Sequence, residues 1–235
     1  MKTLNWIFTL SSLSLVLVSI ERFSLTSKIL LQPYNFLRLH EMVQMTTIIL
    51  STVILPVLIL KEVTNNFSTV KTRYGFLLLL SFIVGIYFYA TGNGIHEVSS
   101  FNFNNFCDTK HISNTICGSF FFNDYYTGNI FYFIGATLMI IPLMLFEKRA
   151  STSNFDKKDM IILSINAVIY SLAIFAYAAF DRVLVGFVYT FIVWMITAFL
   201  FWQIKKNYTR YPLITYTFIA YTLGALLSLY QRFFT

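Results

Sequence analysis

The chain has 235 residues, 57% apolar and only 11% charged, with a net charge of +7. A typical soluble domain carries about 25% charged residues, and a soluble fold of this length could not hide so much apolar surface. A water-soluble enzyme or nucleic-acid-binding domain is thereby excluded, and no nucleic-acid partner is expected; the positive charges sit between apolar stretches, where they set membrane topology.

Seven such stretches follow in chain order: Leu4–Ile20, Met42–Leu60, Tyr74–Ala90, Ile130–Phe146, Met160–Phe180, Val183–Ile204 and Pro212–Tyr230. A bilayer core about 30 Å thick takes roughly 20 apolar residues of helix to cross. Lipid offers the backbone no hydrogen-bond partner, so each span should be helical. The fold class is all-α: a polytopic membrane protein, one integral domain over residues 1–235, built as a bundle of seven transmembrane helices.

The first stretch follows Lys2 like a signal peptide, but Ser19-Ile20-Glu21-Arg22 lacks a small-x-small cleavage pattern. It reads as a retained span. Between spans three and four, residues 91–129 form the longest connection, rich in Asn and Phe and expected as a structured outer cap. Cys107 and Cys117 lie in it and would pair in an oxidising exterior. Spans five and six are separated only by Asp181-Arg182. The run from Met160 to Ile204, about 68 Å as one helix, must fold back there as a hairpin.

Alternating the connections assigns eleven Lys and Arg residues, Lys205 and Lys206 among them, to the N-terminal side and six to the other. The rule that positive residues stay in the cytoplasm puts the N-terminus inside and the C-terminus outside, in a plasma or bacterial inner membrane. The lipid bilayer is then the first partner.

Ionisable residues inside a bilayer are costly and mark function by default. The span centres hold essentially none, which argues against a proton relay through the midplane. At the outer ends lie His40, Glu41 and Gln44 on the second span, Tyr89, Asn93 and His96 on the third, and Asp124 before the fourth. His40, His96 and Asp124 are candidate zinc ligands with an open position for water, which a metal would make nucleophilic. Alternatively, His96 and Asp124, with Glu41, form a metal-free acid–base set. Asn93, Tyr89 and Gln44 would line a ligand site beside them. The plain alternative is polar residues collecting where helices meet water. The many tyrosines, Tyr87, Tyr89, Tyr125, Tyr126, Tyr132, Tyr177, Tyr189, Tyr216 and Tyr221 among them, read either as an aromatic groove or, more simply, as an interface belt with bundle packing. Gly85, Gly135, Gly186 and Gly224 are suited to close helix contacts, and Pro56 and Pro142 to bends.

The order Glu41 on an early helix, His96 at the end of the next and Asp124 at the start of the following one resembles the seven-transmembrane hydrolase superfamily of alkaline ceramidases and progestin/adiponectin receptors. The resemblance implies a zinc-dependent amide or ester hydrolase acting on a lipid or other amphipathic small molecule. Two departures stand out: Pro212–Tyr230 has no His-x-x-x-His pair, and Gly92 or Asn93 replaces the Ser expected before His96. A related protein would then have lost the standard site or would use His40 in its place. The alternative is a non-enzymatic receptor-like or accessory subunit, or a small-solute permease.

Overall fold

The structure, a computed structural model, describes residues 2–112, 116–150, 154–204 and 207–234. Lys205 and Lys206 of the charge count lie outside the described residues. Among the described residues, seven helices are long and apolar enough to cross a membrane. They are α1 (Thr3–Glu21), α2 (Leu39–Val63), α3 (Arg73–Phe106), α4 (Ile116–Arg149), α5 (Lys157–Phe180), α6 (Val185–Ile204) and α7 (Pro212–Phe234). The chain is an all-α integral membrane protein, as its hydropathy predicts.

The bundle is apolar on both sides of each helix wall, as lipid requires. On α6, Val188, Ile192, Met195, Phe199 and Trp202 recur every three or four residues and are exposed. A soluble protein does not expose such a stripe. The opposite face buries Tyr189, Val193, Thr197 and Leu200. On α5, Ile161, Ile165, Val168 and Leu172 face outward while Leu163, Ala167 and Ile174 are buried.

Without a hydrophobic drive between helices in lipid, close packing of small residues holds the bundle together. The α3–α4 contact shows how. A Cβ on Gly135 would lie 2.2 Å from the backbone nitrogen of Tyr89, and one on Gly92 2.2 Å from that of Tyr132. Gly85 lies against the Gly135 carbonyl, and Gly128 against the backbone of His96. The two antiparallel helices thus touch backbone to backbone, with Gly85 opposite Gly135 and Gly92 opposite Gly128. Gly224 of α7 instead makes room for the side chain of Ile174 of α5. Pro56 and Pro142 both lie inside helices, α2 and α4.

Residues 91–129, expected as a connection, are helical for most of their length. α3 has 34 residues, about 51 Å at 1.5 Å per residue, so it outruns the hydrocarbon core. The Asn side chains along it bond back to their own helix. Asn93, Asn102, Asn104 and Asn105 each donate to the carbonyl four residues back, on Tyr89, Val98, Ser100 and Phe101. A disulfide between Cys107 and Cys117, with a Cα separation of 5.7 Å, ties the end of α3 to the start of α4.

At the end of the bundle nearest the N-terminus, Asn5 of α1 donates to the Asp159 carboxylate and carbonyl of α5, at 3.0 and 3.1 Å. Glu147, fully buried at the end of α4, accepts the backbone N–H groups of Leu213 and Ile214, both at 2.8 Å. Helix N-termini carry unpaired N–H groups and partial positive charge. The carboxylate meets both at the start of α7, where Pro212 leaves one fewer N–H to satisfy.

Candidate functional site

The end of the bundle away from the N-terminus collects most of the polar residues singled out in the sequence, in separate pairs. The α3–α4 register places His96 four residues beyond Gly92 and Asp124 four residues before Gly128. The next layer of the seam therefore brings the two side chains together, His96 Nδ1 lying 2.7 Å from Asp124 Oδ1. Asp124 sits in a π-helical turn, Asn123–Gly128, a feature frequent at functional sites, and its side chain is buried, whereas that of His96 is 32% exposed.

His40 is paired elsewhere, with Glu21 at the end of α1, and Gln44 donates to the same Glu21 carboxylate at 2.8 Å. Gln44 opens a second π-helical turn, Gln44–Ile48. Glu41 accepts from the Arg38 guanidinium and from the Arg38 backbone N–H, capping α2. Asn93 is engaged with its own helix. Among the described residues, no group of three or more His, Cys, Asp and Glu side chains is placed to hold a metal ion. His40, His96 and Asp124 are thus not brought together as a ligand set, because the register pairs His96 with Asp124 while the α1–α2 connection delivers Glu21 to His40.

The α5–α6 turn completes this end. Asn129 donates to the Asp181 carboxylate at 2.9 Å, and Arg232 of α7 donates to the Ala178 and Asp181 carbonyls at 2.6 and 2.9 Å. Partial burial pushes the Asp181 carboxyl above its ordinary range.

Below this layer a cavity of about 200 Å³ opens inside the bundle, lined by residues of all seven helices. Tyr89, Tyr132, Tyr170, Tyr177, Tyr189, Tyr216 and Tyr221 line it, together with Ser11, Ser14, Thr52 and Thr217 and with Phe8, Met139 and other apolar side chains; none of the described lining residues is charged. Tyr189 of α6 and Tyr216 and Tyr221 of α7 are buried, and the lining tyrosines of α3, α4 and α5 are partly buried; Tyr89 and Tyr132 face each other across the glycine seam with ring centroids 4.9 Å apart. Tyr89 donates to Thr52 at 2.9 Å, and the Tyr189 and Tyr221 hydroxyls lie 2.6 Å apart. The Tyr216 ring is stacked on Phe8 at 4.3 Å. Its hydroxyl is buried and has no hydrogen-bond partner among the described residues.

Tyr89 is thus where a ligand-site residue was expected, but the site it belongs to lies deeper than the helix ends. Of the tyrosines singled out in the sequence, Tyr87 and Tyr126 are exposed and suit an interface belt, while Tyr89, Tyr132, Tyr177, Tyr189, Tyr216 and Tyr221 converge on the cavity. Tyr170 was not among them; its seven-residue spacing from Tyr177, which returns to the same helix face, is the signal that would have found it. No known protein family, curated protein or solved structure matches this chain.

Proposed function

We propose that this chain is a receptor-like membrane protein that binds a small molecule inside its helical bundle. The observation that carries the reading is the tyrosine-lined cavity, to which every helix contributes and, among the described residues, no charged side chain does. Ligand sites are concave and mostly apolar, with a few convergent polar groups, and often lie between the helices of bundles. The tyrosine hydroxyls supply those groups, and the ligand would reach them from the lipid phase. The test is a panel of small ring compounds scored for raised melting temperature of the purified protein, since a ligand that binds only the folded state stabilises it. Ala136→Phe, which fills the cavity from α4, should abolish every genuine shift while leaving a folded protein. A panel with no shift that Ala136→Phe removes would sink the reading.

A second reading keeps the His96–Asp124 pair as an acid–base pair acting on an ester or amide of an amphipathic substrate. The 2.7 Å contact favours it, because a carboxylate that orients a histidine is the usual arrangement of a general base. No step through zinc follows, since the candidate ligands do not converge. Turnover lost in both His96→Ala and Asp124→Asn, with the fold intact, is the expected result; turnover retained in either removes it. For orientation, the excess of Lys and Arg supports an N-terminus in the cytoplasm. Labelling of single engineered cysteines at Asn66 and Phe23 by an impermeant reagent in intact cells should mark Phe23 alone.

A further inference from the structure

The cavity reading proposed above, on which this inference rests, leaves the chemistry of the ligand open, and the lining restricts it. None of the described lining residues is charged, so an ionised ligand would find no counter-charge and would lose its hydration. At about 200 Å³ the cavity is a little larger than the roughly 150 Å³ that accommodates benzene in an apolar protein cavity. It therefore suits a single ring with a short substituent.

The hydroxyl groups of the lining then single out one donor. Tyr89 donates to Thr52, and the Tyr132 hydroxyl lies within hydrogen-bonding reach of Tyr89. The Tyr189 and Tyr221 hydroxyls are bonded to each other, and that of Tyr177 reaches Tyr221 and Thr190. Ser11, Thr52 and Thr217 donate to carbonyls of their own helices, and Ser14 is bonded to Ser51. Among the described residues, the tyrosine hydroxyls of the lining left without a partner are those of Tyr170 and Tyr216. The Tyr216 hydroxyl is enclosed on all sides and does not open on the cavity. The Tyr170 hydroxyl is not enclosed in this way. Tyr170 is partly buried and lines the cavity, its ring packed against that of Tyr216 with centroids 5.8 Å apart. It also stands at the centre of the group, within electrostatic reach of the hydroxyls of Tyr89, Tyr132, Tyr177, Tyr189 and Tyr221. A donor without an acceptor in so apolar a place is costly, and a molecule that supplies the acceptor removes that cost. We infer that the ligand is a neutral, single-ring compound carrying one acceptor oxygen, and that Tyr170 is its specificity-determining residue, donating its O–H to that oxygen.

Acetophenone and α-methylstyrene form the matched probe pair, since they share a shape and differ in C=O against C=CH₂. Their dissociation constants for the purified protein are measured by ligand-observed NMR, with the cavity-filled Ala136→Phe as the reference for partition into detergent. The expected result is acetophenone binding about fivefold tighter than α-methylstyrene, the increment of one net hydrogen bond. In Tyr170→Phe that preference disappears while α-methylstyrene binds as before, which also shows the cavity intact. Tyr216→Phe removes the other unpartnered hydroxyl and should keep the preference. Equal affinities in the unsubstituted protein, a preference that survives Tyr170→Phe, or one that is lost in Tyr216→Phe instead would overturn the inference and leave the cavity reading standing. No binding of either probe above the Ala136→Phe reference would overturn this inference about ligand class, whereas the cavity reading itself falls only if the wider panel fails as well.

Discussion

Gly92→Ala tests the glycine seam most sharply, because Gly94 supplies its control two residues away on the same helix. A Cβ at position 92 would stand 2.2 Å from the Tyr132 backbone nitrogen and 2.6 Å from the Gly128 carbonyl oxygen, against an ordinary contact of 3.4–4 Å. Both obstacles are backbone, so no side chain can turn aside and α3 and α4 must part by roughly 1 Å. Overpacking of this kind costs about 1–3 kcal/mol. The same displacement would stretch the 2.7 Å His96–Asp124 contact, one layer on, out of hydrogen-bond range. At Gly94 a Cβ meets nothing within 4 Å, so Gly94→Ala should show only the helix-propensity gain of about 1 kcal/mol. The assay is unfolding in detergent followed by circular dichroism: Gly92→Ala should melt lower than the parent and Gly94→Ala the same or higher. Equal effects of the two substitutions would refute the seam as the origin of the α3–α4 register.

At the other end of the bundle, Glu147→Ala leaves the Leu213 and Ile214 N–H groups buried without an acceptor, which should destabilise by about 1–3 kcal/mol; Glu147→Gln, which keeps one acceptor oxygen, should lose less, and amide hydrogen exchange at Leu213 reads the difference. The Asp181 carboxyl is raised by burial, so the folded state holds this proton more tightly than the unfolded state. Its contribution is complete below the ordinary carboxylate range and declines as pH rises through the folded value; melting temperature against pH should be flatter in Asp181→Asn. Cys107 and Cys117 are bonded, so alkylation of the denatured protein should add two labels only after reduction.

Hydropathy alone located all seven spans, because the bilayer imposes one length on every helix that crosses it. The same argument could not see how far α3 runs. Gly92 and Gly94 together look like a stop, yet Gly92 is a contact with α4, and the Asn side chains beyond it bond back to their own helix. The disulfide was legible from two cysteines on one short segment. His96 and Asp124 were singled out, but their pairing follows from a register set by Gly85, Gly92, Gly128 and Gly135, and no local pattern matches Gly85 with Gly135 or Gly92 with Gly128. His40 looked equally promising beside them; its partner Glu21 arrives through a connection whose path no local pattern describes. The tyrosines were visible as a population, and their division into belt and cavity required knowing which face of each helix is buried.

Glu147 gives the order of synthesis a structural meaning. Its hydrogen-bond donors, the first N–H groups of α7, begin 66 residues further along the chain. At about 5–20 residues per second, the carboxylate waits roughly 3–13 s at the membrane boundary before its partners exist. Until then the nascent chain carries an acid that cannot be sealed between helices without great cost. The first six helices alone offer Glu147 no such partners; α7 supplies them.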